Sequence, residues 1–256
     1  MHLGKVYLIG AGPGDPELLT LKAVKVLGQA QVILVDDLVN PDILQFTNSN
    51  ARIIKVGKRG GSRSTPQEII NQQLLDFALH GYQVARVKGG DPLIFGRAGE
   101  EIEFLTQAGI EVVIINGITS GLAALSSLGI PLTHRNFAHS ATFITGASVH
   151  PAGEPDWPSL AKNNATIVIY MGLTKLSYIA KQLLAEGMDA STPAAIIQNV
   201  SLPHEHIVLC TLHEIATVVE QENLCSPAVI IIGQVVQGVK TTKDTANFFD
   251  LITLCK

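Results

Sequence analysis

The sequence predicts an α/β protein of two domains, the first a mainly parallel open sheet and the second a mixed sheet. Three observations carry this. Short Val/Ile-rich runs ending in Gly or Asp alternate with helical patterns through the first half of the chain, the rhythm of strands covered by helices on both faces. That rhythm restarts at Ala141. In the second half, "AAIIQN" and "HIVLC" stand too close together for a crossover helix, so that pair is expected to be antiparallel.

Taken in order, the first domain offers the strands "VYLIG", "QVILV", "RIIKVG", "QVARVKGG" and "EVVIING". Ile70, Leu74 and Phe77 share one helical face, and Thr65-Pro66-Gln67-Glu68 ahead of them reads as an N-cap, a first-turn proline and a capping-box glutamate. Ile102 and Leu105 mark a further helix, stopped by Gly109. The second domain offers "ATFITG", "TIVIYMG", a helix from about Leu176 to Glu186, "AAIIQN", "HIVLCTL", a helix near Glu214 to Gln221, and "PAVIIIGQVV". The domains are placed at residues 1–130 and 131–256, joined within the Gly/Pro-containing segment 115–139. Residues from Thr241 onward read as a frayed tail.

A chain of 256 residues with 46% hydrophobic and 16% charged residues has the makings of a substantial core. The opening "MHLGKVYLIG" lacks the long apolar segment of a signal peptide. Val112 to Thr133 carries no charge, but Gly117, Gly121, Gly129, Pro131 and several Ser and Thr interrupt it. It is expected to be a strand, a polar turn and a small-residue helix, not a membrane span. Three cysteines without metal spacing (Cys210, Cys225, Cys255) suit reduced thiols in a cytoplasm, and the histidines suggest no metal site.

The net charge of −4 lies wholly in the second half: residues 1–135 hold 12 basic and 12 acidic side chains, residues 136–256 hold 6 and 10. Arg52, Lys55, Lys58, Arg59 and Arg63 nevertheless fall close together. A basic loop this local points to an anionic small molecule, not to nucleic acid, whose footprint is broader. A merely solvated loop would look the same.

Chemistry concentrates in two glycine turns. Gly10-Ala11-Gly12-Pro13-Gly14-Asp15-Pro16 resembles a dinucleotide loop, and Asp36 at the end of "QVILVD" sits where a ribose-binding acid belongs. Yet Pro13 and Pro16 remove two backbone donors, and Asp15 would set a negative charge beside a phosphate. The second turn, Gly89-Gly90-Asp91-Pro92, repeats the Gly-Asp-Pro form at another strand end. A parallel sheet would bring both turns to one rim, beyond the carboxyl ends of its strands, where ligands bind. Two such rims suit a cofactor with an adenine, a ribose and no phosphate, as S-adenosylmethionine has.

Several stretches together, among them "VYLIGAGPGDPELLTLKA", "VGKRGG", "TPQEIIN", "VKGGDPLIFGRAGEE", "GITSGLAA", "GIPLTHR", "TIVIYMG" and "SPAVIIIGQVV", resemble the tetrapyrrole methylase family, in the family's order and over residues 5 to 237. The resemblance implies a homodimer of two α/β domains with S-adenosylmethionine between them. It implies methylation of uroporphyrinogen III at C-2 and then C-7 to give precorrin-2, for sirohaem or cobalamin; a later precorrin methylation is the nearest alternative. By the same resemblance Asp36 is the proton acceptor and Lys58 the proton donor. Pro13, Gly89, Gly90, Asp91, Ile94, Thr119, Ser120, Met171, Asn199 and Val200 match the cofactor contacts. Val35, Asp37 and Gln198 depart from the family's usual residues and bear on substrate positioning.

The chemistry agrees with these types. An ionised aspartate can stabilise the cationic pyrrole formed on methylation while a proton leaves. The substrate's eight carboxylates call for cations: Arg59 and Arg63 on the basic loop, Arg97 and Arg135 as forks. Two further readings are weaker: a nucleotide-dependent oxidoreductase, disfavoured by Pro13 and Asp15, and a non-catalytic binding module, disfavoured by Asp36 with Lys58.

Overall fold

The computed structural model describes residues 3–57, 65–147 and 153–239. The chain divides into two compact units, Met1–Ser120 and Gly121–Lys256.

The first unit holds five parallel strands, β1 (Lys5–Gly10), β2 (Val32–Val35), β3 (Arg52–Lys55), β4 (Val84–Lys88) and β5 (Glu111–Ile115), in the order β3-β2-β4-β1-β5. Each expected strand is present. Strands buried on both faces need apolar residues at successive positions, which is why they read as continuous Val/Ile runs. Val6, Leu8, Val32, Leu34 and Val84 pack against α2 (Gln67–Leu79) and α3 (Ala98–Gln107). Ile9, Ile33, Val35, Ala85 and Val87 pack on the other side with Ala23 and Leu27 of α1 (Leu21–Leu27).

The opening loop runs first into a short 3-10 turn, Pro16–Leu18, and α1 begins only at Leu21, capped by the Thr20 hydroxyl. One local expectation is corrected, at α2: the N-cap is Pro66, not Thr65, and no side chain caps it. Gln67 faces inward there, 8% exposed, and serves a buried carboxylate described below.

The uncharged stretch forms β5, a turn and α4 (Ser120–Leu128). No described helix is long and apolar enough to cross a membrane.

The second unit carries a mixed sheet of β6 (Ser140–Thr145), β7 (Ala165–Tyr170), β8 (Pro193–Gln198), β9 (His206–Thr211) and β10 (Ala228–Ile232), ordered β6-β7-β10-β8-β9. β6 and β7 are parallel, and the remaining pairs, including β8 with β9, are antiparallel. Its helices are α5 (Trp157–Lys162), α6 (Leu176–Ala185) and α7 (Ile215–Gln221). Ile167, Ile169, Ile196 and Ile230 form its core with Ile179 and Leu183 of α6 and Ile215 of α7. The expected tail from Thr241 lies outside the described residues.

Candidate active site

In the first unit β1 leads across β4 to β2, while β4 leads across β1 to β5. The connections leaving these two neighbours diverge, the arrangement that opens a ligand crevice at the carboxyl rim. The two glycine turns meet there. Gly12 N–H donates to Gly90 O at 3.1 Å and Gly90 N–H to Gly12 O at 2.7 Å. Both residues have positive φ (74° and 67°), a conformation glycine adopts without steric cost. A Cβ on Gly90 would lie 3.7 Å from Ser120 N and Thr119 Cα. Pro13, Gly89, Gly90, Asp91, Thr119 and Ser120 therefore share one rim.

This rim offers little to a phosphate. Ala11 N–H is spent on Lys88 O, Gly12 N–H on Gly90 O, and Leu18 N–H on Asp15 O. Asp15 caps the short turn, its Oδ1 accepting from Glu17 N–H at 2.9 Å. Asn40 adds a side-chain donor to Gly14 O at 2.8 Å. With those amides committed and Pro13 lacking one, the pyrophosphate cradle is missing. A nucleoside without phosphate, read through backbone approach and hydroxyls, suits such a rim.

Asp91 has both oxygens engaged within the protein. Oδ1 accepts from Leu93 N–H at 2.8 Å; Oδ2 accepts from Asn116 Nδ2 and Gly117 N–H, each at 3.1 Å. Its side chain fastens the turn after β4 to the end of β5. The chain beyond it exposes Leu93, Ile94 and Phe95 (50%, 37% and 40%). Phe95 and Arg97 hold φ of 51° and 56°, a left-handed state costing about 1–2 kcal/mol per non-glycine residue and often found at functional sites.

Asp36 continues the β2 face that carries Val32 and Leu34, and lies at the same rim with its side chain 30% exposed. Its Oδ1 accepts from Arg86 Nη2 at 2.7 Å. Arg86 is 2% exposed, and its Nε donates to Glu101 Oε1 at 3.0 Å. Glu101 is wholly buried and also accepts from Lys88 Nζ at 3.0 and 3.1 Å and from Gln67 Nε2 at 3.0 Å. Burial, with the neighbouring Arg86 cation, holds the Lys88 amine below the usual lysine range. Sequence reasoning missed Arg86, Lys88 and Glu101. The signal was there: a central strand buried on both faces cannot leave two cations in "VARVK" solvated, so they demand a buried acid.

The expected cation Arg97 is exposed. Its fork is occupied by Glu100, Nε on Oε1 at 2.8 Å and Nη2 on Oε2 at 2.7 Å. Arg135 is exposed in the turn between His134 and Ala138. Lys58, Arg59 and Arg63 lie outside the described residues. Gly57, just before them, packs on Asp37: a Cβ there would stand 2.2 Å from its Cγ.

In the second unit Met171 follows β7 and Asn199–Val200 follows β8. Tyr170 and Gln198 pair with Val229 and Ala228 of β10, so both turns leave one edge of the sheet. Met171 and Asn199 have φ of 51° and 55°; Met171 is 51% exposed and Val200 buried. Of the departures, Val35 is core, and Gln198 exchanges bonds with Cys225.

Comparison with known proteins agrees with this geometry. The family model of the tetrapyrrole (corrin/porphyrin) methylases matches residues 5–216. A uroporphyrinogen-III C-methyltransferase of Pseudomonas aeruginosa is 49% identical over 92% of this chain and 96% of its own. A sirohaem synthase of Aeromonas hydrophila is 46% identical, and there the chain spans about half the relative's length (50%). Among solved structures, the uroporphyrin-III C-methyl transferase of Thermus thermophilus complexed with S-adenyl homocysteine has a TM-score of 0.78 at 41% identity, covering 91% of this chain and 99% of that one. A rim of paired glycine turns without a phosphate cradle, in a chain that the family model matches over residues 5–216 and that is 49% identical to a relative over 92% of its length, makes this protein a member of the tetrapyrrole methylases.

Proposed function

We propose that the chain transfers methyl groups from S-adenosylmethionine to uroporphyrinogen III, at C-2 and then C-7, giving precorrin-2 for sirohaem or cobalamin synthesis. The observation that carries this is the Asp36 carboxylate, held by buried Arg86 at the rim where the Gly12–Gly90 bridge leaves no place for phosphate. The family and its 49% identical relative give the reaction its class.

The methyl donor, when bound, supplies an electrophilic methyl and its own leaving group. The protein's residues hold and orient. Gly89 and Gly90 permit backbone approach; Pro13, Asp91, Ile94, Thr119 and Ser120 complete the first unit's contacts, and Met171, Asn199 and Val200 are the second unit's. The ionised Asp36 stabilises positive charge on the pyrrole and accepts the proton lost from it, while Lys58 donates one. Arg59, Arg63, Arg97 and Arg135 hold substrate carboxylates. The working form is a cytoplasmic homodimer.

Uroporphyrinogen III with labelled donor is the direct test. Two methyl groups per tetrapyrrole are expected. None on uroporphyrinogen III but one on a precorrin would reassign the chain to a later step of the same family.

The rim also predicts ligand preference. A ligand at a hundred times its Kd stabilises the folded state by about 2.7 kcal/mol. S-adenosylhomocysteine should raise Tm clearly, and NAD or NADP at equal concentration should not. The opposite pattern would restore the oxidoreductase reading.

Arg97 gives a further expectation. Exchanging Glu100 for a substrate carboxylate costs little, because exposed ion pairs are worth about 0–1 kcal/mol. Arg97→Glu should weaken tetrapyrrole binding, less so as salt rises, and leave S-adenosylhomocysteine binding alone. A titration in which only the methyl donor suffers would assign Arg97 to the other ligand.

A further inference from the structure

Arg86, Lys88, Glu101 and Asp36 place two cations and two carboxylates on a sheet face that is otherwise apolar, between β4 and helices α2 and α3. Charges so placed are costly, and a well-packed apolar set is often as stable or more so. Stability alone therefore gives weak reason for them. The exposures are uneven: the side chains of Glu101, Arg86 and Lys88 are 0%, 2% and 5% exposed, and that of Asp36 is 30%. Three buried charges thus lead to one carboxylate that reaches the rim.

The hydrogen bonds have a direction as well. Arg86 is held by three acceptors: Glu101 Oε1 on Nε, Val87 O on Nη1 and Asp36 Oδ1 on Nη2. Glu101 is itself held by Lys88 on both oxygens and by Gln67, whose amide is oriented by a bond to Asn71 Oδ1 at 2.9 Å. Helices α2 and α3 thereby fix the guanidinium plane, and the guanidinium fixes Asp36. The neighbouring charges from these elements are Arg86 and Lys88 on β4, Glu68 on α2, Glu100 and Glu101 on α3, and Arg97 before it.

We propose that Glu101, although it lies out of reach of any ligand, is a positioning residue for methyl transfer: through Arg86 it sets the orientation of the Asp36 carboxylate at the rim. This rests on the function proposed above. Misplacement of a reacting group by about 1 Å can cost a hundredfold in rate, so loss of the buried anchor should reach the methyl-transfer rate through Asp36. The amide keeps the shape, so Glu101→Gln removes the charge and turns one acceptor oxygen into a donor, which Lys88 can meet by releasing its proton and accepting.

The test is a double-mutant cycle read by single-turnover transfer of labelled methyl to uroporphyrinogen III. Glu101→Gln should slow transfer about tenfold to a hundredfold with Asp36 present and have no further effect in the Asp36→Asn background. The melting shift with S-adenosylhomocysteine should be unchanged in both. If the single variant does not accumulate, Glu101→Gln with Lys88→Met removes one charge of each sign, keeps the Arg86–Asp36 pair, and should give the same pattern. Equal losses in the two backgrounds, or a lost melting shift, would make Glu101 a stabilising residue only and overturn the proposal. Failure of the unaltered protein to methylate uroporphyrinogen III would overturn the function instead.

Discussion

Asp36→Asn is expected to slow single-turnover methyl transfer by about two orders of magnitude, the usual worth of a group in acid–base or electrostatic catalysis, while the S-adenosylhomocysteine melting shift stays as it was. The substitution is close to isosteric. Asparagine Oδ1 can still accept from Arg86 Nη2, so the 2.7 Å contact has a replacement and the rim keeps its form. What disappears is the negative charge. The buried set then holds Arg86 and Lys88 against Glu101 alone, and Lys88, already below its ordinary range, can yield a proton to restore balance. The fold should therefore survive. Asp36 N–H donates to Val87 O at 3.1 Å, a bond the substitution does not touch. A rate near that of the unaltered protein would remove Asp36 from the chemistry and leave it as the rim end of a structural network.

Much of the fold was legible because the central strands, β1, β2 and β4 in the first sheet and β7, β8 and β10 in the second, are buried enough to need mostly apolar residues at successive positions. "VYLIG" and "EVVIING" are both parallel strands, paired side by side. The short link after "AAIIQN" left geometry one choice, and β8 and β9 are antiparallel. The site was legible in its parts but not in its joints. Both glycine turns were visible as strand ends, yet their reciprocal Gly12–Gly90 bonds depend on β4 lying beside β1, a long-range fact that no local pattern encodes. Asp91 was visible as an acid at the rim, but both its oxygens are consumed by neighbours 2 and about 25 residues away. Glu101 reads locally as a first-turn acid that favours a helix N-terminus; only the burial of Arg86 and Lys88 beneath it gives it a second task.

The closeness of the three strand ends predicts the largest stability effect. A Cβ on Gly117 would stand 2.3 Å from Gly90 O and 2.8 Å from the Cα and carbonyl carbon of Gly10. All three obstacles are backbone, so no rotamer change relieves them. Nor can the neighbours yield freely: Gly90 is bonded both ways to Gly12, and Gly117 N–H is held by Asp91 Oδ2 at 3.1 Å. Gly117→Ala must push the β5 end away from the paired turns. Overpacking of this kind costs about 1–3 kcal/mol, occasionally more, which lowers Tm by roughly 2–4 °C per kcal/mol in a protein of this size class. Because the displaced backbone is the rim itself, the S-adenosylhomocysteine melting shift should be lost along with the stability. Gly99→Ala is the matched control: it lies within α3, and a Cβ there meets nothing within 4 Å. Alanine at that helical position should be neutral or stabilising by up to about 1 kcal/mol, with the ligand shift intact. If Gly117→Ala melted like the unaltered protein and kept its full shift, the ends of β1, β4 and β5 would not approach one another as closely as these contacts require.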